Sequence, residues 1–85
     1  MVNFGLKDER WENPLNGRYY EARIMCNLFG EWELQRVWGR MGSRLGRIQY
    51  EQHASFDACA LALEKVRARR LARGYSPRNE GILHD

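Results

Sequence analysis

The chain is organised around the stretch Arg36-Val-Trp38-Gly39-Arg40-Met-Gly42-Ser-Arg44-Leu-Gly46-Arg47. This stretch holds four arginines, three glycines and one tryptophan, and it contains no acidic residue. Fixed cations, a backbone that a ligand can approach closely and a large flat ring together suit a phosphate-bearing polymer. Glycines within a strand pattern also mark bends. The composition of the stretch therefore allows either a binding role or a purely architectural one.

The positive charge of the chain is concentrated in this stretch and in the residues after it. Over all 85 residues the formal net charge is +3. Residues 1–35 carry four basic and six acidic side chains, whereas residues 36–79 carry ten basic and three acidic ones. Such a distribution is typical of a surface that binds a polyanion. A solvated basic helix face would also produce part of it.

Alternating polarity predicts three β-strands. The first covers Tyr19–Leu28, where apolar side chains recur at every second position, and a short loop with a glycine connects it to the second. The second covers Trp32–Met41, and the third covers Arg47–His53 with Ile48 and Tyr50 on one face. Three consecutive strands with short connections favour an antiparallel meander.

The second strand changes its alternation partway along its length. Its apolar residues stand at even positions in the first half and at odd positions, Val37 and Met41, in the second half. A bulge or a strong twist near Gly39 would reconcile the two halves. The same feature decides whether Trp38 points into the core or lies at its rim.

One long helix follows the third strand. Ser55 can act as its N-cap, and Gly74 suits the position just beyond its C-terminus. Apolar residues at spacings of three and four predict one buried helix face, formed by Phe56, Cys59, Ala60, Leu63 and Val66. The sequence therefore predicts an α+β fold, in which an antiparallel sheet of three or more strands carries one long helix packed on one face.

The length of the chain fits one small domain. We expect an N-terminal arm at residues 1–16 that packs against the domain, the domain itself at residues 17–76, and a flexible C-terminal tail at residues 77–85. No apolar run is long enough to cross a bilayer and no secretion signal is visible, so we expect a cytoplasmic protein. Cys26 and Cys59 lack partners at zinc or redox spacing, which predicts two buried thiols rather than a disulfide.

Several short motifs follow one another in a characteristic order. They are Gly17-Arg-Tyr19-Tyr20-Glu, Leu28-Phe-Gly30-Glu-Trp32, Arg36-Val-Trp38-Gly39-Arg40-Met-Gly42, a capped helix, and Gly74-Tyr75. The ordered set resembles the WGR domain over about residues 15 to 76, and it looks closest to the small free-standing bacterial members, which are predicted DNA-binding proteins. The Trp-Gly-Arg tripeptide alone would be a weak signal, whereas the ordered set is a specific one.

The resemblance implies a binding module and no enzyme. The family also occurs in the DNA-dependent poly(ADP-ribose) polymerases, whose catalytic domain is absent here. In those proteins the motif tryptophan packs on the terminal sugar of a broken strand and the motif arginine works at the same contact, roles that would fall on Trp38 and Arg40. An aromatic residue after the helix, which corresponds to Tyr75, lies near the DNA in some of them. Met41 replaces the more usual Val or Ile at similar volume.

Each candidate binding residue also has an explanation without a ligand. Trp38 could be a platform for a terminal nucleotide, or a core side chain that closes the end of the sheet. Arg40 could hold a phosphate with two parallel hydrogen bonds, or it could pair with Glu21, Glu31 or Glu33 on the neighbouring strand. The further candidates, which could instead be packing or solvated residues, are Arg36, Arg44, Arg47 and Tyr75.

We therefore expect a module that binds DNA, with a preference for duplex ends or nicks and for a 5′-phosphate. The alternative is a protein-interaction adaptor whose same basic face binds an acidic protein partner, and a third option is an RNA-binding module. We expect no cofactor, metal, membrane or small-molecule substrate, because no catalytic or ligand constellation is visible. An exposed Trp38 surrounded by Arg36, Arg40, Arg44 and Tyr75 would favour nucleic acid. A buried Trp38 with arginines paired to strand glutamates would favour the adaptor.

Overall fold

A computed structural model describes residues 4–78 as a five-stranded sheet with one helix packed on it. The elements are β1 (Phe4–Asn13), β2 (Arg18–Cys26), β3 (Trp32–Arg40), β4 (Gly46–His53), α1 (Phe56–Ala72) and β5 (Ser76–Arg78). All neighbouring strands are antiparallel, and their order in the sheet is β4-β3-β2-β1-β5. The predicted α+β fold, with its meander of three strands and its single packed helix, is confirmed.

The strand β1 was not predicted from the sequence, which suggested only a packed arm before residue 17. It lies inside the sheet between β2 and β5, and its Trp11 side chain is almost completely buried. Its alternation is hidden because both of its faces carry charges that are paired. Glu9 on one face binds Arg67 of α1, and Arg10 on the other face binds Glu21 of β2.

The strand β5 was also not predicted. Ser76–Arg78 pairs with β1 as a short edge strand, in which Pro77 lies opposite Trp11. Proline is tolerated there because an edge strand has one side that needs no hydrogen-bond donor. The rest of the tail expected at residues 77–85 lies outside the described residues.

The helix α1 follows the prediction closely. The Ser55 hydroxyl accepts a hydrogen bond from the amide of Ala58 at 3.1 Å, and Gly74 beyond the helix adopts a φ of +88°. The expected face packs against the sheet: Cys59, Leu63 and Val66 are buried, while Phe56 and Ala60 are half-buried against the core. Both cysteines are free; Cys59 is buried, which raises the pKa of its thiol, whereas Cys26 is only half-buried.

The core lies between α1 and one face of the sheet, which we call the helix face; the opposite face is the outer face. The buried sheet residues are Trp11, Tyr20, Ala22, Ile24 and Leu34. They lie on β1, β2 and β3, so β4 contributes no fully buried hydrophobic residue. The helix therefore covers the middle of the sheet and leaves the helix face of β4 largely open.

The sequence suggested a bulge or a strong twist near Gly39, and the bulge is wrong. β3 pairs with β2 and with β4 in one unbroken register, and the one shift in β1–β2 pairing lies between Gly5 and Lys7. Arg36 and Trp38 therefore stay on the helix face, and Val37 lies on the outer face. The helix face tolerates a charged residue at this position because Arg36 lies half-buried and its guanidinium binds Glu51 at 2.8 Å.

The same register sets the faces of β4. Ile48 lies opposite Val37 and Tyr50 lies opposite Gln35, so both belong to the outer face, where they are 53% and 58% exposed. Four of the five polar residues of β4 lie on the helix face, namely Arg47, Gln49, Glu51 and His53, whereas Gln52 lies on the outer face. This arrangement gives the helix side of β4 a polar and charged floor.

Candidate nucleic-acid interface

A groove of about 1190 Å³ lies between α1 and the helix face of β3 and β4. We call it the basic groove because its lining holds six basic side chains and one acidic side chain. The basic ones are Arg18, Arg36, Lys65, Arg69, Arg70 and Arg73, and the acidic one is Glu51. Lys65, Arg69 and Arg73 recur every four residues along α1, so they form one row on a single face of the helix. The groove therefore has strongly positive walls.

Trp38 lies at the junction between the basic groove and a smaller neighbouring pocket. Its ring stacks on Tyr20, with 5.7 Å between centroids and 12° between planes. The side chain is half-buried and also lines both cavities. It is thus neither a pure core residue nor a free platform, because one part of the ring packs on the core and another part faces the cavities.

Tyr75 lines the same groove and contacts Arg70. The guanidinium carbon of Arg70 lies 4.2 Å from the ring centroid of Tyr20 and 5.1 Å from that of Tyr75. Its Nε has no hydrogen-bond partner among the described residues. The cation–π contacts connect Tyr75 to the aromatic pair Tyr20–Trp38 and fix its position at the C-terminal end of the helix.

The smaller pocket, of about 370 Å³, lies beside the loop between β3 and β4; we call it the loop pocket. Arg18, Arg40 and Arg47 line it together with Trp38 and the loop backbone. The turn is held by Gly42, which adopts a φ of +82° that other residues rarely reach. Arg44 is exposed on this loop but lines neither cavity.

Arg18 was not among the candidates chosen from the sequence, although a signal for it exists. The hairpin loop between β2 and β3 covers residues 27–31, so Cys26 lies opposite Trp32. Counting outward along both strands from this pair places Arg18 opposite Arg40. The register of the hairpin, combined with the alternation, would have identified the second arginine beside the motif.

The arginines of the protein separate into two groups by their partners. The first group binds carboxylates of the strands: Arg10 with Glu21, Arg23 with Asp8, Arg67 with Glu9, Arg36 with Glu51, and Arg78 with Glu12. A second group lies in or beside the two cavities and forms no ion pair with any described carboxylate; its members are Arg18, Arg40, Arg44, Arg47, Lys65, Arg69, Arg70 and Arg73. Apart from Arg44, every member of this group lines the basic groove or the loop pocket.

The ion pairs that the sequence allowed for Arg40 do not form. Glu21 instead accepts from Arg10, while Glu31 and Glu33 accept from the side-chain amide of Asn27. The two arginines whose pairing would distinguish a nucleic-acid partner from an acidic protein partner behave differently. Arg40 is exposed and forms no ion pair with a carboxylate of residues 4–78, which favours nucleic acid, whereas Arg36 is paired with Glu51.

Neither a metal centre nor a membrane-spanning helix is found within residues 4–78. No three His, Cys, Asp or Glu side chains in this range converge on a point where a metal ion could bind. No helix in this range combines the length and the apolar character needed to cross a bilayer.

Comparison with known proteins identifies one family and one curated relative. The model of the WGR domain family matches residues 9–82. An uncharacterized protein named y4dW, from Sinorhizobium fredii (strain NBRC 101917 / NGR234), is 41% identical over 61 residues, which are 72% of this chain and 29% of the relative. The chain thus spans less than a third of the length of that relative. No solved structure matches.

Proposed function

Because this chain belongs to the WGR domain family, a family of nucleic-acid-binding modules, we propose that it binds DNA at duplex ends or nicks and catalyses no reaction. The observation that supports this proposal is the clustering, around the half-buried Trp38, of cations that have no carboxylate partner in the described part of the chain. Leaving several arginines close together without counter-charges is unfavourable unless an anion or solvent compensates them, and a phosphate chain supplies that compensation.

In this proposal the loop pocket receives the terminal phosphate. Arg18, Arg40 and Arg47 line it, and an arginine can donate two parallel hydrogen bonds to one phosphate group. The terminal nucleotide packs against the part of the Trp38 ring that faces the cavities. Stacking of a base or sugar on an aromatic side chain requires no particular sequence, so the module reads an end and does not read a base sequence.

The basic groove contacts the backbone that leads away from the end. The row of Lys65, Arg69 and Arg73 provides this track, and Tyr75 borders it. Helix residues four apart lie on one face about 6 Å apart along the axis, so each cation meets a different part of the polymer. Arg44 adds charge from the loop, and Arg36 acts mainly by holding Glu51.

Fluorescence anisotropy with labelled nucleic acids tests the proposal. The ligands are a blunt duplex with a 5′-phosphate, the same duplex without it, a closed dumbbell of the same sequence, and single-stranded RNA. We expect the phosphorylated end to bind most tightly. About four phosphate contacts give a slope of log K against log salt near −3 to −4, so binding should be weak at physiological salt.

Two results would contradict the proposal at different levels. Equal affinity for the open duplex and the dumbbell would remove the preference for ends and leave only general DNA binding. No binding to any of the four ligands at low salt would remove nucleic acid altogether. The half-burial of Trp38 and the pairing of Arg36 would then favour the adaptor, which binding of a poly-glutamate peptide to the same face would reveal.

A further inference from the structure

The strand β4 is an open edge of the sheet. It is eight residues long, it contains neither proline nor lysine, and residues 46–50 are all exposed. Within residues 4–78 no other segment pairs with its free side. Natural edge strands are usually short or protected, as β5 is with its three residues and Pro77. A long unprotected edge is suited to pairing with another strand.

The register shows which backbone groups of β4 point to the open side. The amide of Met41 donates to the carbonyl of Gly17 at 2.8 Å, so odd-numbered residues of the β2–β3 pair exchange their hydrogen bonds. Hydrogen-bonding direction alternates along a strand, so the even-numbered residues of β3 bond to β4, where their partners are odd-numbered. The even-numbered groups of β4 therefore face the open edge; they belong to Gly46, Ile48, Tyr50 and Gln52.

We propose that β4 pairs antiparallel with β4 of a second copy of this chain, about a twofold axis at Gln49. In this register the free groups of Ile48 meet those of Tyr50 of the partner subunit. On the helix face, Arg47 lies opposite Glu51 of the partner subunit. The twofold axis repeats both pairs, so the edge is self-complementary in apolar character and in charge.

Neighbouring registers that use the same backbone groups lack this complementarity. Centring the axis on Ile48 places Arg47 opposite Gln49, and centring it on Tyr50 places Arg47 opposite His53. Neither arrangement forms the ion pair, and neither brings Ile48 against Tyr50. The side chains therefore select the register that is centred on Gln49.

The second copy also completes the basic groove. An axis perpendicular to the sheet keeps both helices on the same side, so the two grooves lie next to each other across the joined strands. Glu51 is the one acidic residue that lines the groove of each copy. Arg47 of the partner subunit lies opposite it and offsets the one negative charge that lines each basic groove.

Sedimentation velocity on the protein without nucleic acid, over a wide concentration range, tests this pairing. We expect the unaltered chain to form a reversible dimer. Arg47→Glu alone and Glu51→Lys alone each place two like charges opposite each other, so each should dimerise about tenfold or more weakly. An equimolar mixture of the two variants restores both attractive pairs and should form a heterodimer. Lys7→Glu makes the same charge change on exposed β1 and should leave dimerisation unchanged.

A second pair of variants guards against unfolding, because Glu51 also binds Arg36 within one chain. Ile48→Lys and Tyr50→Glu change only exposed side chains, and mixing them creates one Lys–Glu pair and keeps one Ile–Tyr pair. A chain that stays monomeric at every concentration overturns the proposal. A dimer whose variants fail to recover on mixing overturns the register.

Discussion

Arg36 and Arg40 show how two arginines on one strand face can differ in their contacts. They lie four residues apart on the helix face of β3. Arg36 is half-buried and binds Glu51 at 2.8 Å, whereas Arg40 is exposed in the loop pocket and has no described carboxylate partner. Both arginines belong to one sequence motif. The sequence alone could not distinguish them, because ion pairing depends on which residue of β4 lies alongside each. Arg36 is therefore mainly a structural residue, and Arg40 is free to bind a ligand.

We predict that Arg40→Ala weakens DNA binding, whereas Arg36→Ala weakens the fold. Arg40→Ala should weaken binding of a phosphorylated duplex end about tenfold or more, because a charge-assisted hydrogen-bonding group is lost. Its urea midpoint should stay unchanged. Arg36→Ala should lower the free energy of unfolding by about 1 kcal/mol, because Glu51 stays half-buried without its guanidinium. A loss of stability in Arg40→Ala without a loss of binding would show that the assignments are exchanged.

At the level of the elements, the contact between β3 and β4 explains why the motif has a glycine at position 39. Gly39 and Gly46 lie opposite each other, and the Tyr19 side chain lies against both. A Cβ built on Gly39 would lie 3.2 Å from the Cα of Gly46 and 3.3 Å from the Cε1 of Tyr19. Neither glycine has a positive φ, so no unusual turn requires them. They are required because the two chains approach each other closely.

We predict that Gly39→Ala destabilises the protein by about 1 to 3 kcal/mol, as expected for overpacking at a tight site. In a domain of this size the melting temperature should fall by at least about 4 °C. Thermal unfolding followed by circular dichroism measures the change. An unchanged melting temperature would mean that Tyr19 and the β4 backbone move aside freely, and the close-approach explanation would be wrong.

The elements also show what a sequence can predict and where it stops. β2, β4 and α1 were predictable because each has a one-sided apolar pattern that matches its period, and β3 was predictable because its polarity alternates within each half. β1 was not predictable, because charged residues in ion pairs stand on both of its faces and hide the alternation. β5 was not predictable, because three residues are too few to show a periodic pattern. The predicted bulge near Gly39 was wrong. The apolar pattern of β3 changes where α1 no longer covers the sheet, while the register of β3 stays unbroken.

At the level of the whole molecule, ion pairs divide the charges between two regions. The acidic residues of β1 and β2 hold the arginines beside them, and the cations of the loop pocket and basic groove keep no such partners among the described residues. The sequence located the positive half of the chain correctly. It could not separate paired from unpaired arginines, because that depends on β1 and on the register that brings Arg18 beside Arg40.

The most direct test of the interface is an NMR titration of the ¹⁵N-labelled protein with a short DNA hairpin that has one blunt, 5′-phosphorylated end. We predict the largest shifts at the indole N–H of Trp38, at the amides of Arg18 and residues 39–47, and at Tyr75. Signals of Asp8 in β1 and of Arg23 in β2 should stay in place, and a dumbbell closed at both ends should produce much smaller shifts. Shifts that centre on β1, or equal shifts with the dumbbell, would contradict an end-binding site around Trp38 and Arg40.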